Sequence, residues 1–449
     1  MDRKKLSGLI LAGIIAIGGS ALYIAVTSNN PTEDICILGY KASDEGNNIS
    51  GYQIKKHEDV ESIEWLDNDN LLTVKENGSF KNPDSEIDKY FISKYNLNSM
   101  DMKDYTNINM AGSHTHGVSP SGRYVLFGEP RVIPKVGSDE WQRACDSKEL
   151  FHEKKDILDL ETGEIIEDFD KVVNNCSAEY KWMSNDLIFV DYGGEWNILD
   201  MKGKRIKKGM FSFNNSASDF TRLVDVSELD VTDDEVNGCF YYTKDFMGND
   251  GNLGQNLFSM DVNTCEEKLV CGFEHSMNYT KAGNIIALDD FDNNGQAENG
   301  IYVNRTFGFK IVNKQGELLQ NVSLPKGRNF EGLTLSPNGE KCAFIEEDDF
   351  IGQGVKMEDV STLSNSVKVM DVKTGEMKEI VQLKDLIDRD NEEEFRKFNI
   401  TDKVTKGIGP VISGIRWDKT SSSLTFNYDY ISKKDGNNYT NTYVVTFDR

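Results

Sequence analysis

Two stretches decide how this chain is read: Leu335-Ser336-Pro337-Asn338-Gly339-Glu340-Lys341-Cys342-Ala343-Phe344 and, earlier, Val118-Ser119-Pro120-Ser121-Gly122-Arg123-Tyr124-Val125-Leu126-Phe127. Each joins an apolar stretch to a second one through a Ser-Pro-x-Gly turn. Gly accepts positive φ, and a Ser side chain bonds the turn backbone, so the phrase reads as two antiparallel strands joined by a tight turn. Working outward, the same phrase recurs with other turn residues. It appears at Ile63-Glu64-Trp65 before Leu71–Val74, at Tyr180-Lys181-Trp182 before Leu187–Val190, and at Met277-Asn278-Tyr279 before Ile285–Leu288. It returns at Ile415-Arg416-Trp417 before Leu424–Phe426, and Trp65, Trp182 and Trp417 share one repeat position.

A second phrase follows each of these, a strand ending in Asp or Asn and then a short turn. Examples end at Asp159, Asp200, Asp261, Asn313 and Asp371, several continuing into Thr-Gly or Lys-Gly. Two hairpins per repeat make a four-stranded antiparallel sheet. Such a sheet cannot bury both faces alone, so neighbouring repeats must stack, and a radial array leaves no long exposed edges. The expected fold is therefore all-β, a β-propeller. Six clear units begin near residues 59, 108, 176, 274, 329 and 410, and a degraded seventh spans 213–272, where Cys239–Tyr242 and the strand ending at Asp261 survive. Seven blades is the count adopted, with six or eight as alternatives. The last unit is one strand short, and Tyr52–Lys56 is the segment expected to complete it by pairing with Tyr443–Phe447.

The Ser-Pro-Ser-Gly and Ser-Pro-Asn-Gly turns resemble the "SPDG" signature of TolB-like and WD-like propeller repeats, and the strand with Asp159-Leu160-Glu161-Thr162-Gly163 resembles their partner hairpin. The resemblance covers residues 59–449 and works at the level of the repeat. It implies the propeller fold and, since such propellers serve mostly as interaction platforms or as accessory domains of enzymes, a binding role rather than a given chemistry.

Ahead of the propeller, Arg3, Lys4 and Lys5 precede an uncharged run from Leu6 to Val26. About 20 apolar residues rising 1.5 Å each cross the roughly 30 Å hydrocarbon core, and a basic flank stays cytoplasmic. The expectation is a single transmembrane helix within residues 1–28, a lead-in at 29–58, and a propeller at 59–449 on the extracytoplasmic side. A cleaved signal peptide, leaving a secreted protein, is the alternative. The chain carries a formal net charge of −25, which repels nucleic acid and anionic lipid headgroups and leaves cationic partners and divalent metals open. Seven cysteines, an odd number without a C-x-x-C pair, fit neither a zinc framework nor a disulfide scaffold, although Cys265 and Cys271 are close enough in sequence to meet across a hairpin.

The sharpest local motif is Asp290-Phe291-Asp292-Asn293-Asn294-Gly295-Gln296-Ala297-Glu298. Oxygen donors at Asp290, Asp292, Asn294, Gln296 and Glu298, with Gly at the sixth position, suit a Ca²⁺ loop, because the tight turn lets alternate side chains converge on one hard cation. The twelfth-position Glu of an EF-hand is replaced by Ile301, so the closer likeness is to the calcium loops of integrin-like blades, which close with an acid at the ninth position. His114 and His275 stand at one repeat offset, and His116 adds an H-x-H pair that offers a further, weaker metal site. Insertions at 348–366 and 384–406 interrupt the rhythm, the second with apolar spacing that suits one or two helices. Inserts of this kind often carry binding surfaces. Trp141 and Trp196 lie outside the repeat phrase and are open to sugar stacking as well as to core burial.

No G-x-S-x-G elbow, H-E-x-x-H pair, P-loop or Rossmann fingerprint occurs. The leading expectation is a membrane-anchored extracytoplasmic propeller that binds or scaffolds a protein or a cell-envelope glycan. The alternative is a carbohydrate-active or other hydrolytic enzyme using carboxylates of the propeller funnel. A structural part of an envelope complex is a third.

Overall fold

The computed structural model describes residues 22–25, 36–39, 51–82, 85–111, 115–130, 153–167, 169, 178–192, 194–211, 221–232, 235–247, 253–272, 279–292, 305–325, 328–348, 365–393, 397–400, 403–406 and 410–448. These residues form two compact units. One holds residues 63–279; the other holds residues 1–62 together with 280–449. Seven antiparallel sheets follow one another along the chain, the arrangement of a seven-bladed β-propeller.

In the first unit, blade one runs through Glu61–Trp65, Asn70–Asn82, Ser85–Asn96 and Met102–Ala111. Blade two has three strands, Tyr124–Pro130, Glu153–Asp159 and Ile165–Ile166; its first strand is reduced to a single bridge from Val118 to Val125. The repeat expected to begin near residue 108 therefore begins later. The chain there is still the fourth strand of blade one, because Met102–Ala111 continues to pair with Ser85–Asn96 as far as Ala111. Blade three is Glu179–Trp182, Leu187–Tyr192, Glu195–Asp200 and Arg205–Met210. The degraded repeat at 213–272 is a full blade, the fourth: Thr221–Asp225, Glu235–Met247, Leu253–Asp261 and Glu267–Gly272. A side hairpin, Leu229–Thr232, pairs with the start of its second strand and replaces the usual tight turn, which is why the phrase is hard to see in sequence.

The second unit holds blade five (Tyr279–Ala282, Ile285–Asp292, Arg305–Asn313, Leu318–Ser323) and blade six (Arg328–Leu335, Lys341–Asp348, Ser366–Asp371, Met377–Gln382). Blade seven combines Val411–Trp417, Ser423–Ile431 and Asn438–Phe447 with Tyr52–His57 from the start of the chain. The closing pairing sets Tyr52 opposite Phe447 and Lys56 opposite Tyr443. It is held by burial of Tyr52 and Ile54 and by a 3.0 Å hydrogen bond from Tyr52 Oη to the Ile380 carbonyl.

Side-chain chemistry explains both turn phrases. In the first, Ser119 Oγ accepts from Tyr124 N at 3.0 Å and Ser336 Oγ from Lys341 N at 2.9 Å. Gly122 sits at φ 76°, and a Cβ there would lie 2.0 Å from the Leu66 carbonyl oxygen, so no other residue fits. In the second, the Asp or Asn side chain accepts amides two or three residues on: Asp261 from Asn263 and Thr264, Asn313 from Gln315, Asp371 from Thr374. Neighbouring sheets bury apolar faces against each other. Phe189, Trp196, Phe211, Phe240 and Tyr242 fill the space between blades three and four, and Phe309, Phe330 and Phe344 that between blades five and six. The repeated tryptophans add a directional link, since Trp182 Nε1 donates to the Gly117 carbonyl at 3.2 Å and Trp417 Nε1 to the Thr334 carbonyl at 3.4 Å.

One expectation needs correction. The segment 384–406 is not one or two helices. It contains one four-residue helix, Leu383–Leu386, and then a hairpin of Lys397–Ile400 with Lys403–Lys406. Leu383 and Leu386 are buried in the blade six and seven core, so the apolar spacing that suggested a helix serves a single turn. Trp196 is fully buried, stacked on Phe189 and edge-on to Phe240, and is not available to a sugar. At the N-terminus no helix among the described residues is long and apolar enough to cross a membrane. Most of the Leu6–Val26 run lies outside those residues. Its end, Leu22–Ala25, is a strand paired with Cys36–Gly39, so a helix through Val26 requires those four residues to leave that pairing. Cys265 and Cys271 are free thiols, one exposed and one buried.

Candidate functional site

An antiparallel blade has two unlike edges. At one, the first strand turns into the second and the third into the fourth; at the other, the second strand connects to the third and the chain leaves for the next blade. In the first unit, turns at the first edge are short, spanning 97–101, 160–164, 183–186, 201–204 and 262–266, the exception being the side hairpin of blade four. At the second edge stand the connections 131–152, 167–178 and 211–220, beside connections of only two residues at 83–84 in blade one and 193–194 in blade three. The second unit repeats the division, with 283–284, 314–317, 336–340 and 372–376 against 293–304, 349–365 and the region after Gln382. Hairpin loops are ordinarily about 2–5 residues, and long connections concentrate where binding is done.

Asp290 and Asp292 end the second strand of blade five, with their backbones opposite Gly308 and Arg305. Asn294, Gln296 and Glu298 belong to the 293–304 connection and lie outside the described residues, as do His114, His275, Trp141 and nearly all of the 348–366 insertion. Among the described residues, no group of three or more His, Cys, Asp or Glu side chains is placed to hold a metal. His116 is described. Its Nε2 lies 2.7 Å from Lys155 Nζ, and its ring leans on Tyr180 at a centroid distance of 5.6 Å, so it is built into the interface of blades two and three.

A signal the sequence reading passed over is a set of buried polar side chains at the base of the same edge. Second strands contribute Asp191 in blade three, Thr243 in blade four, Asp289 in blade five, Glu346 in blade six and Asn427 in blade seven, all buried. Alternation alone marks them as interior positions, but their polarity shows only once the strands are aligned by register. Thr243 Oγ1 bonds Gln255 Oε1 at 3.0 Å. Glu346 receives Arg328 Nε at 2.8 Å and Lys368 Nζ at 2.5 Å; burial works to raise its carboxyl, but those two bonds outweigh it and hold the group below the usual range. Asn427 is fully used: its Nδ2 donates to the Ser62 carbonyl at 2.9 Å and its Oδ1 accepts from Ser62 Oγ at 2.9 Å and Thr442 Oγ1 at 3.0 Å.

Asp191 differs. It is 3 % exposed and its Oδ2 has no hydrogen-bond partner among the described residues. Burial, and then the charge of Glu179, push its carboxyl up to about 7 against a hydrogen bond from Thr221. Glu179 stands directly opposite on the first strand of the blade, and its Oε2 accepts from Leu223 N of blade four at 2.8 Å. In blade seven, Glu392 packs behind the short helix with the Tyr428 hydroxyl donating to it. Burial raises this carboxyl too.

No family model matches the chain, and no curated protein sequence does. Solved structures are similar to it. The β-propeller domain of the Trilobed protease from Pyrococcus furiosus is 10% identical with a TM-score of 0.47, over 85% of this chain and 94% of that one. An acylaminoacyl peptidase of Pyrococcus horikoshii is 11% identical with a TM-score of 0.46, over 86% of this chain and 52% of that one. The C-terminal WD40 domain of Sif2 is 10% identical with a TM-score of 0.39, over 88% of this chain and 97% of that one. Likenesses at this level carry no argument about ligand or chemistry.

Proposed function

We propose that this chain is a binding platform whose ligand, a protein or a cell-envelope glycan, is received at the loop edge of the blades. The observation that carries the reading is an asymmetry in blades two, five and six: the edge joining first to second and third to fourth strands is closed by tight turns, whereas the second and third strands are joined by the connections 131–152, 293–304 and 349–365. A rigid scaffold with its variable chain on one edge is what recognition requires. The residues 6–26 supply the membrane attachment in this reading and place the propeller outside the cell. The net charge of −25 favours a ligand surface with basic groups.

The test is to replace 131–152 and 349–365 separately with tight hairpin turns and to chemically cross-link the full-length chain in intact cells. Loss of a reproducible cross-linked species in either loop variant, with melting temperature retained, supports the platform. Cross-links that survive both replacements overturn the loop edge as the surface, and a hydrolytic turnover abolished by carboxylate substitution would move the chain to the enzyme class.

Within the same reading, Asp290, Asp292, Asn294, Gln296 and Glu298 hold Ca²⁺ and fix the 293–304 connection. A ligand that binds only the folded state stabilises it by RT ln(1 + [L]/Kd), about 2.7 kcal/mol at a free concentration of about 100 Kd. Millimolar Ca²⁺ is expected to raise the melting temperature of the wild type but not of the Asp290→Ala, Asp292→Ala double variant. An identical response in both reduces the loop to a turn.

A further inference from the structure

The contact between blades three and four depends on a short run of charged and polar groups on five strands. From the first strand of blade three come Glu179 and Lys181, and from its second strand Asp191. The first strand of blade four brings Thr221, Arg222 and Asp225, and behind it stand Tyr242, Lys244 and Glu267. Two bonds cross from blade to blade here: Glu179 Oε2 accepts Leu223 N at 2.8 Å, and Lys181 Nζ donates to the Val224 carbonyl at 2.7 Å. Arg222 lies 3.9 Å from Glu179 but is half-exposed, so it compensates that carboxylate only weakly. Tyr242 and Lys244 are both taken up by Glu267. Among the described residues no cation is bonded to Asp191, whose Oδ2 is buried without a partner there while its own strand neighbour is the carboxylate that holds blade four.

We propose that the Asp191–Glu179 pair is a pH-sensitive joint between blades three and four, closed while Asp191 carries a proton and loosened when it ionises. Ionisation sets a second, unsolvated negative charge against Glu179, the group that anchors Leu223. The first strand of blade four, Thr221–Asp225, is the element that gives. The position of Asp191 near 7 puts the change within the physiological range. The sign follows from proton counting: between the ordinary carboxylate range and about 7 the native state holds a proton that the open state has released, so closure weakens as pH rises through that window. The proposal stands apart from the reading of the loop edge as a binding surface and fails or holds without it.

Hydrogen exchange of the amides of residues 221–225 in the full-length chain, corrected for the intrinsic pH dependence of exchange, is the test. Wild-type protein is expected to open at least tenfold more between pH 6 and pH 8.5, and Asp191→Asn to show no such rise. Glu179→Gln removes the repelling charge while keeping an acceptor for Leu223 N, and is expected to move the rise to higher pH or suppress it. Should Asp191→Asn not fold, Glu179→Gln alone decides. A flat wild-type profile, or a rise that persists unchanged in the variants that fold, overturns the joint.

Discussion

Asp191 and Glu346 both lie near the loop-edge end of a second strand and both are buried, but on opposite faces: Asp191 shares the Leu187 and Phe189 face packed on blade four, Glu346 the Cys342 and Phe344 face packed on blade five. Burial alone drives both carboxyls upward, since charge is costly away from water. Around Glu346 the first and third strands of blade six supply Arg328 and Lys368, and the acid is held ionised. Around Asp191 the first strand supplies another acid, Glu179, and the group is held near neutrality. Asn427 is the uncharged solution at the corresponding position of blade seven, with its amide wholly committed to Ser62 and Thr442. A buried polar group in a second strand therefore takes its charge state from what the strands beside it offer.

The largest expected effect comes from making blade six resemble blade three. Arg328→Met with Lys368→Met leaves Glu346 buried and uncompensated, at a cost of about 3–5 kcal/mol at pH 7 in urea unfolding. Wild-type Glu346, held low, contributes stability above the ordinary Glu range that is lost on acidification; in the double variant the carboxyl rises and the defect shrinks toward pH 5. A defect independent of pH would mean that lost packing, not charge, separates the two blades.

A smaller effect is expected from writing an acid into blade seven. Asn427→Asp removes the donor to the Ser62 carbonyl and sets a carboxylate oxygen against it, costing about 1–3 kcal/mol, with the larger loss at pH 8. Equal loss at pH 5 and pH 8 would show that the position does not couple charge to blade packing.

The smallest change runs the other way. Asp191→Asn gives blade three the side chain of blade seven and should stabilise the protein at pH 8 by about 1–2 kcal/mol, with the gain fading toward about pH 3, below the ordinary Asp value, where the wild-type group is mostly protonated in both native and unfolded states. Thermal unfolding at the two pH values measures it. A destabilised variant at pH 8 would show that the ionised group is compensated by a partner the strand register does not reveal.

How much of this was legible beforehand follows from range. The hairpin phrases could be read because their causes are local: Ser119 and Ser336 bond amides five residues on, Asp261 and Asp371 bond amides two or three on, and Gly122 takes the positive φ the turn needs. Blade four could be read only in part, from Cys239–Tyr242 and the strand ending at Asp261, because its turn is replaced by a side hairpin, and blade two was misplaced because its first strand shrinks to one bridge at Val118. The apolar spacing of Leu383 and Leu386 suggested a longer helix than forms, since two buried contacts need only one turn.

By itself the sequence determined the alternation of strands, the two turn chemistries and the strand at Tyr52 whose every-other-residue burial completes blade seven, all set by neighbours within a hairpin or by the period of the pleat. Only the tertiary structure decided which acid would be paired. Asp191 and Glu346 are alike as letters in a strand, and the difference lies in residues brought beside them by pairing and packing: Glu179 and the edge of blade four for one, Arg328 and Lys368 for the other. A carboxyl group responds to the charges within a few ångströms, and those are fixed by register between strands rather than by order along the chain.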